Sequence, residues 1–324
     1  MTPLLEVRNL HTHFFTREGV VKAVNGVSFS LFPGRTLGLV GESGAGKSVT
    51  ALSILRLVPF PGRVVQGAVV YKGRNLLEIP EEEMRHLRGK EIAIIFQNPH
   101  SALNPVLTVG AQVEEVLQAH TRISRKDAQR RAQALMLHMG LPDPERVAVQ
   151  YPFQLSGGMA QRVMLAIALA MEPAVLIADE PTSNLDVTLQ ADILQRLRNL
   201  QQEQGTAILL ITHDMGVVAR VADWVAVMYA GSIVEQGPIL PIFKRPVHPY
   251  TWGLFQALPR LDRPDHSLKP LRGTPPNLVD LPDQCPFLPR CPKATAVCRT
   301  NPRPPLLEVE GEHWAACYNH IRYD

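Results

Sequence analysis

Lys47 and Ser48 close the run Gly41-Glu42-Ser43-Gly44-Ala45-Gly46-Lys47-Ser48, which has the spacing G-x-x-x-x-G-K-[ST]. Glycines let backbone N–H groups turn inward and approach phosphate oxygens with no Cβ in the way. A lysine at the end reaches β- and γ-phosphates, and the next hydroxyl can ligate Mg²⁺. The candidate nucleotide contacts are Gly41, Ser43, Gly44, Ala45, Gly46, Lys47, Ser48 and Val49. Asp179-Glu180 is a second group with chemistry. One carboxylate can hold Mg²⁺ through water while its neighbour polarises an attacking water. The same pair could cap a following helix, since Asp is favoured there, but beside a phosphate loop catalysis is the stronger reading. Leu155-Ser156-Gly157-Gly158-Met159 is another glycine step, and a helix N-terminus opened this way attracts anions. One nucleotide does not need two cradles on one chain. Two chains face to face would use both, each lending Ser156, Gly157 and Gly158 to the other's γ-phosphate.

The elements that must position these groups are legible around them. Thr36–Val40 is an apolar run that reads as a buried strand, and Val49 to Leu57 has helical spacing, giving the strand–loop–helix context the first motif requires. Residues 4–40 read as antiparallel strands punctuated by Gly19, Gly26 and Pro33-Gly34. Further strands are expected at 67–71, 91–96, 175–178, 207–212, 224–229 and 233–236, and helices at about 108–141, 155–171 and 189–202. The pattern is a mostly parallel sheet with helices, interrupted by a helical insertion at about 98–162. After Gly237 proline becomes dense and regular structure is expected to thin out.

The chain has 324 residues, 45% hydrophobic and 19% charged, which is ordinary for a globular protein. A net charge of +3 makes no case for nucleic-acid binding. The longest apolar run, 163–171, is far short of the roughly 20 residues that span a bilayer. The start, Met1 to Glu6, has no basic stretch leading into an apolar one, so the chain is expected to stay inside the cell. Its four cysteines, Cys285, Cys291, Cys298 and Cys317, are separated by five, six and eighteen residues. Four thiolates in a proline-rich segment can fold around a metal that substitutes for a core. By chemistry alone Zn²⁺ and a [4Fe–4S] cluster are both allowed, with disulfides or free thiols as the remaining reading.

Taken in order, the motifs resemble the nucleotide-binding subunit of an ABC transporter. The phosphate loop is 41–48, Gln97 in Phe96-Gln97-Asn98-Pro99 matches the glutamine loop, and 155–159 matches the signature. Val175 to Glu180 matches the second Walker motif, Ser183-Asn184-Leu185-Asp186 the D-loop, and Thr212-His213-Asp214 the switch histidine. The segment Phe243 to Thr251, with His248-Pro249-Tyr250-Thr251, is similar to that of dipeptide, oligopeptide and nickel importer ATPases. Met159 in place of the more general Gln is what that branch commonly shows, whereas Asn184 stands where a small residue such as Ala is usual.

The resemblance implies an α/β fold: a P-loop NTPase (ABC ATPase) core over 1–236 with an antiparallel β subdomain and the inserted helical subdomain. A small Cys/Pro-rich C-terminal module follows at 237–324. It implies ATP and Mg²⁺ as ligands, Glu180 as general base, His213 at the γ-phosphate, and Ser48, Asp179 and Gln97 at the metal. Phe14 is at a position similar to the family's adenine-stacking aromatic, with Phe15 the neighbouring candidate. The tail implies a [4Fe–4S] cluster on Cys285, Cys291, Cys298 and Cys317, with Zn²⁺ the alternative. The expected partners are two transmembrane permease subunits, a second ABC ATPase (a heterodimer favoured over a homodimer) and, indirectly, an extracytoplasmic solute-binding protein. The place of action implied is the cytoplasmic face of the inner membrane, as a peripheral subunit. Peptide import is the expected function, with nickel, haem or sugar oligomers as other cargoes. A soluble ABC ATPase of translation, DNA repair or cluster assembly is the competing reading.

Overall fold

The runs 36–40, 175–179 and 207–212 are buried along their whole length, as continuous apolar strands covered on both faces must be. The computed structural model describes residues 2–183, 185–257 and 270–323, so the expectation for Asn184 falls outside the described residues. In chain order the elements are β1 (Leu5–Thr16), β2 (Gly19–Leu31), β3 (Thr36–Val40), α1 (Lys47–Ile54), β4 (Gly62–Tyr71) and β5 (Arg74–Asn75). Then come α2 (Glu81–Leu87), β6 (Ile92–Ile95), α3 (Pro99–Ala102), α4 (Val109–His120), α5 (Arg125–His138) and α6 (Pro144–Ala148). They are followed by α7 (Gly157–Leu169), β7 (Val175–Asp179), α8 (Val187–Gln204), β8 (Ala207–Thr212), α9 (Met215–Val221) and β9 (Trp224–Tyr229). The last are β10 (Ser232–Pro238), α10 (Ile239–Lys244), α11 (Pro249–Gln256), α12 (Ala296–Thr300), β11 (Leu307–Glu310) and β12 (His313–Ala315).

The chain divides into two compact units. The first holds Met1–Leu4, Leu31–Thr36 and Glu78–Thr212. In it β6, β7 and β8 pair in parallel, Ile92 opposite Val175 and Val175 opposite Ala207. The helical pattern over 108–141 resolves into two helices. Thr108 caps α4 and Ser124 caps α5 through side-chain oxygens, and each cap starts a new helix. Val109, Val113 and Leu117 are buried along one face of α4.

The second unit holds Leu5–Ser30, Leu37–Leu77 and His213–Asp324. It contains an antiparallel layer in the order β2-β1-β4-β5. It also contains the ladder β3-β9-β10-β12-β11, parallel at β3–β9 and antiparallel beyond. The segment after Gly237 is more regular than its prolines suggest. Pro238 stands at the N-cap of α10 and Pro249 opens α11, positions where proline's missing N–H costs nothing. An apolar cluster joins β9 to this segment through Tyr229, Tyr250 and Phe287, all buried.

Candidate functional site

Between β3 and α1 the chain makes the turn that the glycine spacing predicts. A Cβ on Gly41 would lie 2.1 Å from the Met228 carbonyl, and one on Gly46 2.1 Å from the Ala23 carbonyl, each at positive φ. Only glycine fits at either place. Gly44 faces open space, and Ser43 and Ser48 are exposed. Lys47 is buried, and its ammonium donates to the Gly41 carbonyl at 2.8 Å and the Glu42 carbonyl at 3.1 Å. The charge is therefore held at the mouth of the loop by the loop's own backbone. Thr50 fixes the first turn of α1 by donating to the Gly46 carbonyl at 3.0 Å.

Phe14 is half-buried on the same face of β1 as Thr12, whose hydroxyl lies 2.7 Å from that of Ser53 in α1. Phe15 is on the opposite face, exposed, with the Arg63 guanidinium 4.4 Å above its ring. His213 is exposed at the end of β8, and Asp214 beside it caps α9 by accepting from the Gly216 N–H at 2.7 Å.

In the first unit Asp179 ends β7 and Glu180 follows it, both buried. Glu180 has φ of 50°, a left-handed conformation that costs a non-glycine residue about 1–3 kcal/mol. It is held there from several sides. Its N–H donates to the Ile211 carbonyl at 2.8 Å, and its carbonyl accepts from the Ser183 N–H at 3.1 Å and hydroxyl at 3.0 Å. Gln161 of α7, buried, donates to the Pro181 carbonyl at 2.8 Å. Nothing in the sequence singles out Gln161, because a helix-borne amide acquires this role only when the turn is beside it.

Gln97 is exposed just past β6, and Asn98 caps α3. Ser156 caps α7 by accepting from the Met159 N–H at 3.3 Å. Gly157 is exposed, whereas a Cβ on Gly158 would lie 2.5 Å from Leu189 of α8. The first unit thus carries Gln97, Ser156, Gly157, Gly158, Asp179 and Glu180, and the second carries the phosphate loop, Phe14 and His213.

The four cysteines line one cavity of 20 Å³, together with His248 and Phe287, room for about one water. Burial raises the thiol pKa values of Cys285 and Cys291 and pushes that of Cys317 to about 12. Among the described residues no group of three or more His, Cys, Asp or Glu side chains is placed to hold a metal ion. A buried polar knot stands nearby: Glu235 accepts from the N–H groups of Val247 and His248 and meets His313 Nε2 at 2.7 Å.

One contact set has no counterpart in the sequence reading. Glu42, the second residue of the phosphate loop, is bound by both terminal nitrogens of Arg290, at 2.8 and 3.1 Å.

Residues 24–183 match the family described as ABC transporter, and residues 234–298 the one described as oligopeptide/dipeptide transporter, C-terminal region. The chain is 49% identical over 299 residues to the dipeptide transport ATP-binding protein DppD of Bacillus subtilis, covering 92% of this chain and 89% of that one. This chain belongs to the ABC transporter family. Another relative of this ABC ATPase is the oligopeptide transport ATP-binding protein OppD of Salmonella typhimurium. It is 45% identical over 318 residues, covering 98% of this chain and 94% of that one. Among solved structures, the dimeric ATP-binding cassette MJ0796, in a post-hydrolysis state bound to ADP and Pi, matches the ABC ATPase with a TM-score of 0.66. It is 27% identical and covers 72% of this chain and 98% of that one. The P-loop fold expected of the sequence is therefore the fold of the family.

Proposed function

We propose that this ABC ATPase hydrolyses ATP to energise the import of peptides through a membrane permease. One observation carries the reading: a cassette and the C-terminal region of oligopeptide/dipeptide transporters occur together on one chain. The relatives named for dipeptide and oligopeptide transport align with both parts.

Each group has a role that its chemistry supports. The phosphate loop and Lys47 bind the β- and γ-phosphates. Glu180 takes the proton of the attacking water, and the strain in its backbone supports the view that its position is held for function. His213 contacts the γ-phosphate. Phe14, on the α1 side of its strand, stacks on adenine. Mg²⁺, when bound, neutralises phosphate charge. Ser48, Asp179 and Gln97 offer it oxygen donors, the hard set this ion takes. Ser156, Gly157 and Gly158 complete the site of a second ABC ATPase, in a heterodimer rather than a homodimer.

Val106, Val149 and Phe153, all strongly exposed, lie on the stretch between β6 and α7, and apolar exposure of this kind suits a protein partner. The partners proposed are two transmembrane permease subunits, supplied by an extracytoplasmic binding protein. No described helix is long and apolar enough to cross a membrane. Bound to that permease, this chain works as a peripheral subunit on the cytoplasmic face of the inner membrane. Cys285, Cys291, Cys298 and Cys317 hold a [4Fe–4S] cluster, with Zn²⁺ the alternative. Their four soft donors on one cavity support this.

Tagged Glu180→Gln protein, captured from native membranes in mild detergent with Mg-ATP, tests the transport reading. Two multi-span permease subunits among the co-purified chains are the expected result, and only soluble ribosomal or repair proteins would overturn it. Iron, acid-labile sulfide and zinc in anaerobically purified protein test the thiol centre, and the absence of all three would sink it.

A further inference from the structure

An acidic side chain in a loop that must receive a triphosphate is electrostatically misplaced, because like charges at short range repel. Glu42 is such a residue. Its carboxylate is held in a two-pronged bridge by Arg290, whose side chain is only 6% exposed. The same arginine donates to the Tyr229 hydroxyl at 3.1 Å and to the Arg272 carbonyl at 2.9 Å. Glu42 is also held by its backbone, whose N–H donates to the Tyr250 hydroxyl at 2.9 Å.

Tyr229, Tyr250 and Phe287 form the platform behind these contacts. Their ring centroids are 4.5 to 5.4 Å apart, and all three rings are buried. The carboxylate of Glu42, then the Tyr229 hydroxyl, raise the Arg290 pKa against the effect of burial. Arg290 sits in a tight turn whose carbonyl acceptors run from Cys285 to Leu288.

We infer that Arg290 is a positioning residue for ATP binding: it neutralises Glu42 and holds the phosphate loop open for the triphosphate. Without it the Glu42 carboxylate is free to repel the incoming phosphates. It is also free to capture Lys47, whose ammonium already lies against the Glu42 carbonyl. The C-terminal segment is then part of the nucleotide site, which it meets through Tyr250 and Arg290. This rests on the phosphate loop binding ATP.

Equilibrium titration of the purified full chain with a fluorescent ATP analogue and Mg²⁺ tests it, using wild type, Glu42→Gln, Arg290→Gln and the double variant. Arg290→Gln is expected to weaken binding by about tenfold or more, the scale of a bidentate charge-assisted bond. The double variant is expected to recover most of that loss, because no uncompensated carboxylate remains. A merely structural arginine would show no such rescue. Binding by Arg290→Gln within twofold of wild type overturns the inference, as does a double variant no tighter than Arg290→Gln. If Arg290→Gln fails to fold, Arg290→Lys replaces it. A lysine cannot reproduce the two-pronged bridge, so its ATP affinity should fall and be restored when Glu42→Gln is added; no loss, or no restoration, overturns the inference. Absence of binding by the wild type would instead refute the ATP-binding reading of the loop.

Discussion

Replacing Glu235 with glutamine changes one atom at a fully buried junction and should cost more than most single substitutions. Oε1 of Glu235 accepts from the Val247 N–H at 2.7 Å and meets His313 Nε2 at 2.7 Å, while Oε2 accepts from the His248 N–H at 2.9 Å. Glutamine placed with its oxygen at the Oε1 position keeps two of these contacts and aims its NH₂ at the His248 N–H. Flipped, it keeps the His248 contact and sets its NH₂ against the Val247 N–H. Even the better pose loses a charge-assisted bond and leaves a buried donor unmatched, each worth about 1–3 kcal/mol. Removing the carboxylate also relieves its desolvation, which offsets part of the loss. The net expectation for Glu235→Gln is a destabilisation of about 2–4 kcal/mol. Urea unfolding at pH 7.5 reads it directly, with Trp314 beside His313 as a local fluorophore. Adding His313→Gln and the double variant closes a cycle, with an expected coupling of about 1–3 kcal/mol. A loss below about 1 kcal/mol, or simple additivity, would refute the reasoning.

Three other expectations concern the site and its surroundings. Glu180→Gln should bind ATP yet release phosphate at least about a hundredfold more slowly, the lower end of a general base's contribution; near wild-type turnover in a phosphate-release assay removes Glu180 from that role. Gly41→Ala, whose methyl would meet the Met228 carbonyl, should abolish measurable nucleotide binding while the variant's melting temperature also falls, and unchanged ATP affinity would contradict the geometry. Burial lowers the His248 pKa from 6.5 to about 4, so the neutral ring can accept from the Tyr250 N–H at 3.1 Å. As pH falls the unfolded chain takes this proton first. Stability present above pH 6.5 is therefore lost towards pH 4, by about 3 kcal/mol in full. His248→Asn, which keeps an N-cap oxygen, should show a shallower decline in urea midpoint between pH 7.5 and 4.5 than wild type; parallel declines would count against it.

What was legible in the sequence was what is local. The phosphate loop announces itself because its glycines, Lys47 and Ser48 all act within one turn of chain. The strand ending at Asp179 is visible as an unbroken apolar run. The split between α4 and α5 was hidden because the charged run from Arg122 to Arg131 reads as the exposed face of one continuing helix, whereas the Ser124 cap marks a restart. The hairpin of β11 and β12 was missed for a different reason. β11 is exposed along its length, so burial writes no alternation into it, and the surrounding prolines argue for irregular chain. The polar contacts behind the site were illegible because their partners are distant in sequence. Glu235 and His313 are 78 positions apart and Glu42 and Arg290 are 248, and no spacing rule links such residues.

That last separation has a consequence for how the protein is made. A ribosome adds residues at roughly 5–20 per second, so about 12–50 s pass between synthesis of Glu42 and synthesis of Arg290. Through that interval the carboxylate of the phosphate loop lacks Arg290, and the Tyr250 hydroxyl too is missing until 208 residues after Glu42. A nascent chain therefore carries the ATP-binding motif long before it carries the means to set it, and nucleotide competence arrives late, with the last tenth or so of the polypeptide.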